Sequence, residues 1–251
     1  MIIISFEKKF IFIKTRKVAG TSIEASLRGV TGSRDIVPGV IPRDEYYSAV
    51  RGEFSKNYLL NKDDELRYTQ YVLDKEYDKA KDFLKNCKKT SKNHMSYQDI
   101  DRVVRQHGFK MKDFYVFTVE RHPYSWCLSR TLYNNSQYNS EGKVDYADDA
   151  SAINNEIFSF LNSRQFIDKI NWPMCTKRDK VMVDKVIDYD NLKKDMGFVL
   201  AELSIDAKGI DLPDMKKNSR HLNASDILDY DVKDLIYKKF NKVFSYMGYS
   251  K

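Results

Sequence analysis

Three groups of side chains in this chain have the types and spacing to do chemistry. Arg16 and Lys17 stand just ahead of Val18, Ala19, Gly20, Thr21 and Ser22; Arg121 is followed eight residues later by Ser129; and His94 falls between the two groups. Guanidinium, ammonium and hydroxyl groups donate hydrogen bonds to phosphate or sulfate oxygens, the charged donors most strongly. A neutral imidazole can take a proton from a hydroxyl near physiological pH. Such residues, brought together, could carry group transfer from an oxyanion to a hydroxyl.

For the first group, the positioning elements are a strand and a helix. The apolar run at residues 10–13 predicts a strand, and Ile23, Leu27 and Val30 recur near helical spacing from Thr21 onward. The loop between them delivers the first amides of a helix, which have no intrahelical acceptor and carry the positive end of the helix dipole. Gly20 is expected to let backbone approach an anion closely. The plainer alternative is an ordinary strand-to-helix turn capped by Ser or Thr. The usual phosphate loop has two glycines and a lysine after the second; here the lysine comes three residues before a single glycine. That order weakens a nucleoside-triphosphatase reading.

The second group repeats the arrangement. Residues 115–119 form a continuous apolar run of the kind found in buried parallel strands, and Pro123 suits the first position of a helix. Arg121 stands between strand and helix, where it can give two parallel bonds to one phosphate, with Ser129 about two turns along. Its alternative is a simple pair with Glu120. His94 precedes a predicted helix over residues 96–107, with Ser96 and Asp99 spaced as a capping box. A histidine there can equally be a surface or structural residue.

These stretches resemble one family. Lys-Val-Ala-Gly-Thr-Ser at residues 17–22 is similar to the 5′-phosphosulfate loop of sulfotransferases that use 3′-phosphoadenosine 5′-phosphosulfate, in the form common among carbohydrate-type and bacterial or viral members. Arg-His-Pro-Tyr at residues 121–124, with Ser129, resembles their 3′-phosphate motif, His122 standing for the commoner asparagine. His-Met-Ser-Tyr-Gln-Asp-Ile at residues 94–100 resembles the segment that bears the general base. Val-Ile-Asp-Tyr-Asp-Asn-Leu at residues 186–192 looks like the strand before a closing helix.

The resemblance implies a P-loop-like sulfotransferase core spanning 1–251 as a single domain, with variable acceptor-side segments at about 33–92 and 134–180. It implies that 3′-phosphoadenosine 5′-phosphosulfate is the cofactor, leaving adenosine 3′,5′-bisphosphate, with no metal required. Lys17 would stabilise the leaving phosphate and His94 would act as base. Arg16, Lys17, Val18, Ala19, Gly20, Thr21, Ser22, Arg121 and Ser129 would hold the cofactor. Arg220, in the basic tract 216–221, would be an extra ligand, the alternative being a solvated loop. The acceptor would offer a hydroxyl, on a glycan or a small molecule. Glu24 is a rival base because it follows the loop closely.

Composition agrees with an anionic ligand. The 251 residues carry a net charge of +7 and are 42% hydrophobic, enough for a sizeable core. The lysines are scattered among acidic neighbours, so nucleic acid is not the expected partner. Three separated cysteines suggest neither a disulfide framework nor a zinc site. Residues 1–4 read as a strand rather than a signal peptide, no run reaches membrane-spanning length, and a cytoplasmic location is expected. Strands alternating with helices predict an α/β domain with a mostly parallel sheet. Further helices are expected at 77–86, 153–170, 191–203 and 232–247, the last packed on the sheet, with a final strand over 181–189. Two other functions stay open: a nucleotide kinase or other nucleoside-triphosphatase on a related core, and a non-catalytic polyanion-binding module.

Overall fold

The computed structural model describes residues 2–139, 149–206 and 222–251. Its spine is a four-stranded sheet. β1 (Ile2–Ser5) and β2 (Phe10–Ile13) pair antiparallel across the Glu7-Lys8-Lys9 turn, and β3 (Tyr115–Glu120) runs parallel to β2 with Ile13 opposite Thr118. After the short β4 (Thr176–Lys177) and β5 (Lys180–Val181) hairpin, β6 (Lys185–Asp188) joins β3, also parallel, giving the order β1-β2-β3-β6. This is the expected α/β arrangement, with helices covering both faces of a mostly parallel sheet.

Strand side chains alternate between two cores. Ile2, Ile4, Ile11, Ile13 and Val116 face one side, where they meet Tyr68 and Val72 of α3 (Lys62–Leu73) and Ile100 and Val104 of α5 (Tyr97–Gln106). Between these elements come α4 (Tyr77–Asn86) and, ahead of them in the chain, α2 (Pro42–Ala49). Ile3, Phe10, Phe12, Phe117, Val119 and Ile187 face the other side, against Ile23 and Leu27 of α1 (Gly20–Arg28) and Met196, Val199 and Leu200 of α10 (Leu192–Glu202). Both faces are dry, which is why Ile2–Ile4 and Phe10–Ile13 read as apolar runs without polar alternation.

A third core lies away from the sheet. Trp126 and Leu128 of α6 (Pro123–Asn139), Ile153 and Ile157 of α7 (Ala150–Leu161), Ile236 of α12 (Tyr230–Lys239) and Val243 and Phe244 of α13 (Asn241–Met247) pack together. Here the expectation of one terminal helix on the sheet is corrected: the helix breaks at Phe240, and its partners are α6 and α7. The single helix expected over 153–170 also divides, into α7 and α8 (Phe166–Lys169), with α9 (Trp172–Cys175) and later α11 (Ala224–Ile227) as further short turns. The strand expected over 181–189 is likewise split at residues 182–184.

Of the longer helices, α2 and α3 went unpredicted. The buried face of α3 includes a carboxylate and a phenol, so it does not read as apolar. Glu65 accepts from the amides of Asn57, Tyr58 and Leu59, and the fully buried Tyr68 donates its hydroxyl to the Val40 carbonyl at 2.9 Å. Tyr68 is thus a core residue whose hydroxyl is satisfied inside the protein.

Parallel pairing brings the carboxyl ends of β2, β3 and β6 to one edge, where open α/β sheets bind ligands. The ends of β2 and β3 are cross-linked: Thr118 Oγ1 donates to the Ile13 carbonyl at 2.7 Å, and Thr15 Oγ1 donates to the Val119 carbonyl.

Candidate functional site

The loop from β2 into α1 is built from an unusual backbone. Lys17 and Ala19 have φ of 61° and 55°, a left-handed conformation that costs an ordinary residue about 1 kcal/mol. Ala19 is the N-cap and supplies no side-chain bond, so the Ser/Thr-capped turn is not what forms. The Ala19 carbonyl accepts from the amides of Ser22 at 2.9 Å and Ile23 at 3.1 Å. Among the described residues no backbone carbonyl accepts from the amides of Gly20 and Thr21. The free donors of this helix start are therefore at Gly20 and Thr21, and the Ser22 amide is already used.

Gly20 also has a purpose the sequence did not show. A Cβ there would stand 2.6 Å from Lys14 Cγ, so glycine makes room for the Lys14 stem. Lys14 Nζ then donates to Thr21 Oγ1 at 3.2 Å and to Glu24 Oε2 at 3.0 Å. Glu24 in turn pairs with Arg28 at 2.6 Å, and Arg28 with Glu45 at 2.7 Å, all buried. That network overturns Glu24 as a rival base: its carboxylate is consumed by two cations beneath the loop and does not line the cleft.

The strained loop is pinned from outside by residues the sequence did not single out. Asn171 accepts from the Arg16 amide at 2.7 Å and donates to the Arg16 carbonyl at 2.9 Å, as a neighbouring strand would. Trp126 Nε1 donates to the same carbonyl at 2.9 Å.

At the second junction Arg121 donates through Nη1 to the Lys17 carbonyl at 3.3 Å, so the two loops touch. Its guanidinium lies 4.3 Å from the centroid of the Tyr189 ring, and its Nε is buried without a partner. Among the described residues no carboxylate is within ion-pair distance of it; Glu120, its expected rival partner, instead accepts from the Arg121 amide at 3.0 Å and from Asn171 at 3.3 Å. Burial draws Arg121 below the usual guanidinium range, against the pull of Tyr189 and Asp190. Arg16 is lowered by burial too, against Asp168. Such cations remain charged and are short of solvent, so an anion restores what burial removes.

His94 approaches from the entry of α5. Its backbone is left-handed, φ 56°, and its Nδ1 is 3.0 Å from the Lys14 carbonyl. A carbonyl can only accept, so Nδ1 carries the proton and Nε2 keeps its lone pair. Burial, with nearby positive charge that includes Arg16 and Lys14, pushes the imidazole down to about 3. It is thus neutral near pH 7, in the tautomer that can accept a proton.

The two loops, Arg121 and His94 border one cleft of about 780 Å³ at the carboxyl edge of the sheet. Residues 16–22, His94, Arg121 and Ser129 line it, so apart from Glu24 the described residues expected in the site are brought together there. Arg220 lies outside the described residues. The wall also holds Lys14, Arg130 and Lys169 against one carboxylate, Asp44. Ser125, Ser129 and Tyr133 recur every fourth residue on one face of α6, and the Lys17 ammonium lies 3.8 Å from the Tyr133 ring centroid. That spacing was readable in advance; Asn171 and Tyr189, distant in sequence, gave no such signal.

Fold and site together define an α/β protein with a strongly cationic cleft at its sheet's carboxyl edge and a half-buried neutral histidine on the wall. No family model matches the chain, and no curated protein matches it. Among solved structures, a sulfotransferase from Alicyclobacillus acidocaldarius is similar over 97% of this chain and 96% of its own, at 12% identity and a TM-score of 0.37. A likeness at that level does not align individual residues.

Proposed function

We propose that this chain is a sulfotransferase that moves a sulfuryl group from 3′-phosphoadenosine 5′-phosphosulfate to an acceptor hydroxyl. The observation that carries the reading is that two strand-to-helix junctions, 104 residues apart at the Arg121–Lys17 contact, face one cleft with anion donors and leave a neutral imidazole on its wall.

The residues present fit such a donor. The amides of Gly20 and Thr21, with Lys17 and Arg16, suit a 5′-phosphosulfate; the guanidinium of Arg121 and the hydroxyl of Ser129 suit a 3′-phosphate. When bound, the donor supplies a sulfuryl group on a phosphate leaving group. Lys17 and the two amides then hold negative charge that grows on that phosphate, as in related phosphoryl transfers. His94 Nε2 takes the acceptor's proton, and the Lys14 carbonyl steadies the imidazolium through Nδ1. Asn171 and Trp126 keep the loop in its strained form before the ligand arrives, so little reorganisation is needed.

A thermal-shift comparison tests this. Adenosine 3′,5′-bisphosphate should raise the melting temperature without magnesium and more than ATP with magnesium does. Preference for ATP-magnesium would favour a nucleotide kinase. A polyanion response with steep salt dependence and no adenosine-specific shift would favour a binding module.

A further inference from the structure

Lys14 is the most enclosed cation on the cleft wall, and the proposed chemistry does not use its side chain. Its stem runs past Gly20, its ammonium donates to Glu24, and the same ammonium donates to Thr21 Oγ1 at 3.2 Å. An ammonium has donors and no acceptor. The Thr21 oxygen must therefore accept from Lys14, which leaves the Thr21 proton to be donated elsewhere. Thr21 lines the cleft in the first turn of α1, next to an amide without a backbone acceptor.

We infer that Lys14 is a positioning residue: by occupying the acceptor side of the Thr21 hydroxyl, it turns that hydroxyl into a donor aimed at the bound anion. Glu24 holds Lys14 in place, and the chain of pairs through Arg28 to Glu45 ends on the Val40 amide at 3.0 Å, with Val40 itself on the cleft wall. This rests on the reading of the loop as an anion cradle, and a role through Thr21 separates it from a lysine that merely fills space or adds charge.

A double-mutant cycle measures that coupling. Binding of adenosine 3′,5′-bisphosphate is followed by calorimetry for the wild type, Lys14→Met, Thr21→Val and the double variant, with thermal unfolding checked for each. Thr21→Val and Lys14→Met should each weaken binding about tenfold, and the double variant should be no weaker than Thr21→Val alone. A double variant weakened about a hundredfold would overturn the inference, because Lys14 would then act independently of Thr21. Should Lys14→Met fail to fold, Glu24→Gln, which loosens Lys14 and retains an acceptor for Arg28, replaces it in the same cycle: loss of affinity that persists in the Thr21→Val background is the contrary result. A wild type that ignores the bisphosphate sinks the nucleotide reading alone, and the cycle is then read with inorganic sulfate; sulfate binding indifferent to both substitutions overturns the role of Lys14 as well.

Discussion

The two junctions solve one problem by different means. Between β2 and α1 the proposed ligand donors are backbone amides beside the Lys17 ammonium, presented by a loop with two left-handed residues, no side-chain cap and external clamps from Asn171 and Trp126. Between β3 and α6 neither Arg121 nor His122 has a left-handed φ, and the proposed donors are all side chains, Arg121 together with Ser125 and Ser129, which share one helix face. Fixed amides are pre-organised for charge that develops during reaction, whereas a guanidinium fork grips charge already present. The first junction should therefore govern turnover and the second affinity.

The largest test of that division is Lys17→Ala, which should lower kcat by roughly 100- to 1000-fold while changing bisphosphate affinity far less. An equal loss in both would erase the distinction between the junctions. His94→Ala should cost about 100-fold in kcat. Because His94 is held near 3, wild-type kcat/KM should not decline as pH falls through the ordinary histidine range; an acid limb centred near 6.5 would contradict its neutral state.

Glu120 supplies an intermediate effect at the point where the junctions meet. Burial raises its carboxyl from 4.5 to about 7, so the native state binds the proton more tightly than the unfolded chain. That contribution to stability is present below the unfolded value and lost as pH rises through the folded one. Glu120→Gln keeps a neutral acceptor for Arg121 and Asn171. It should match the wild type near pH 4 and exceed it by on the order of 1 to 3 kcal/mol near pH 8 in urea unfolding. The smallest effect concerns strain: Ala19→Gly relieves a left-handed alanine and should stabilise by less than about 1 kcal/mol, since the added glycine also loosens the unfolded chain. A clear destabilisation would mean that the loop is not strained.

Much of this was legible in the sequence because it depends on local pattern. Apolar runs marked β1, β2 and β3, the Ser96–Asp99 box marked α5, and the motif spacing marked the cleft residues. What stayed hidden depends on distant partners. The helix α3 buries Glu65 against amides of residues 57–59, which composition reads as exposed charge. Gly20 answers to Lys14, and the loop is held by Asn171, 155 positions from Arg16. The fate of Glu24 likewise turned on Arg28 and Lys14 lying beneath the loop rather than on its proximity to it.

The central claim is that the junctions hold opposite phosphorylated ends of one nucleotide. Calorimetry with adenosine 3′,5′-bisphosphate and with 5′-AMP, on the wild type, Arg121→Ala and the remote Lys112→Ala, measures it directly. The wild type and Lys112→Ala should bind the bisphosphate at least tenfold more tightly than 5′-AMP, and Arg121→Ala should abolish that preference while leaving 5′-AMP binding nearly intact. A wild type that does not distinguish the two ligands, or an Arg121→Ala variant that loses both alike, would contradict it.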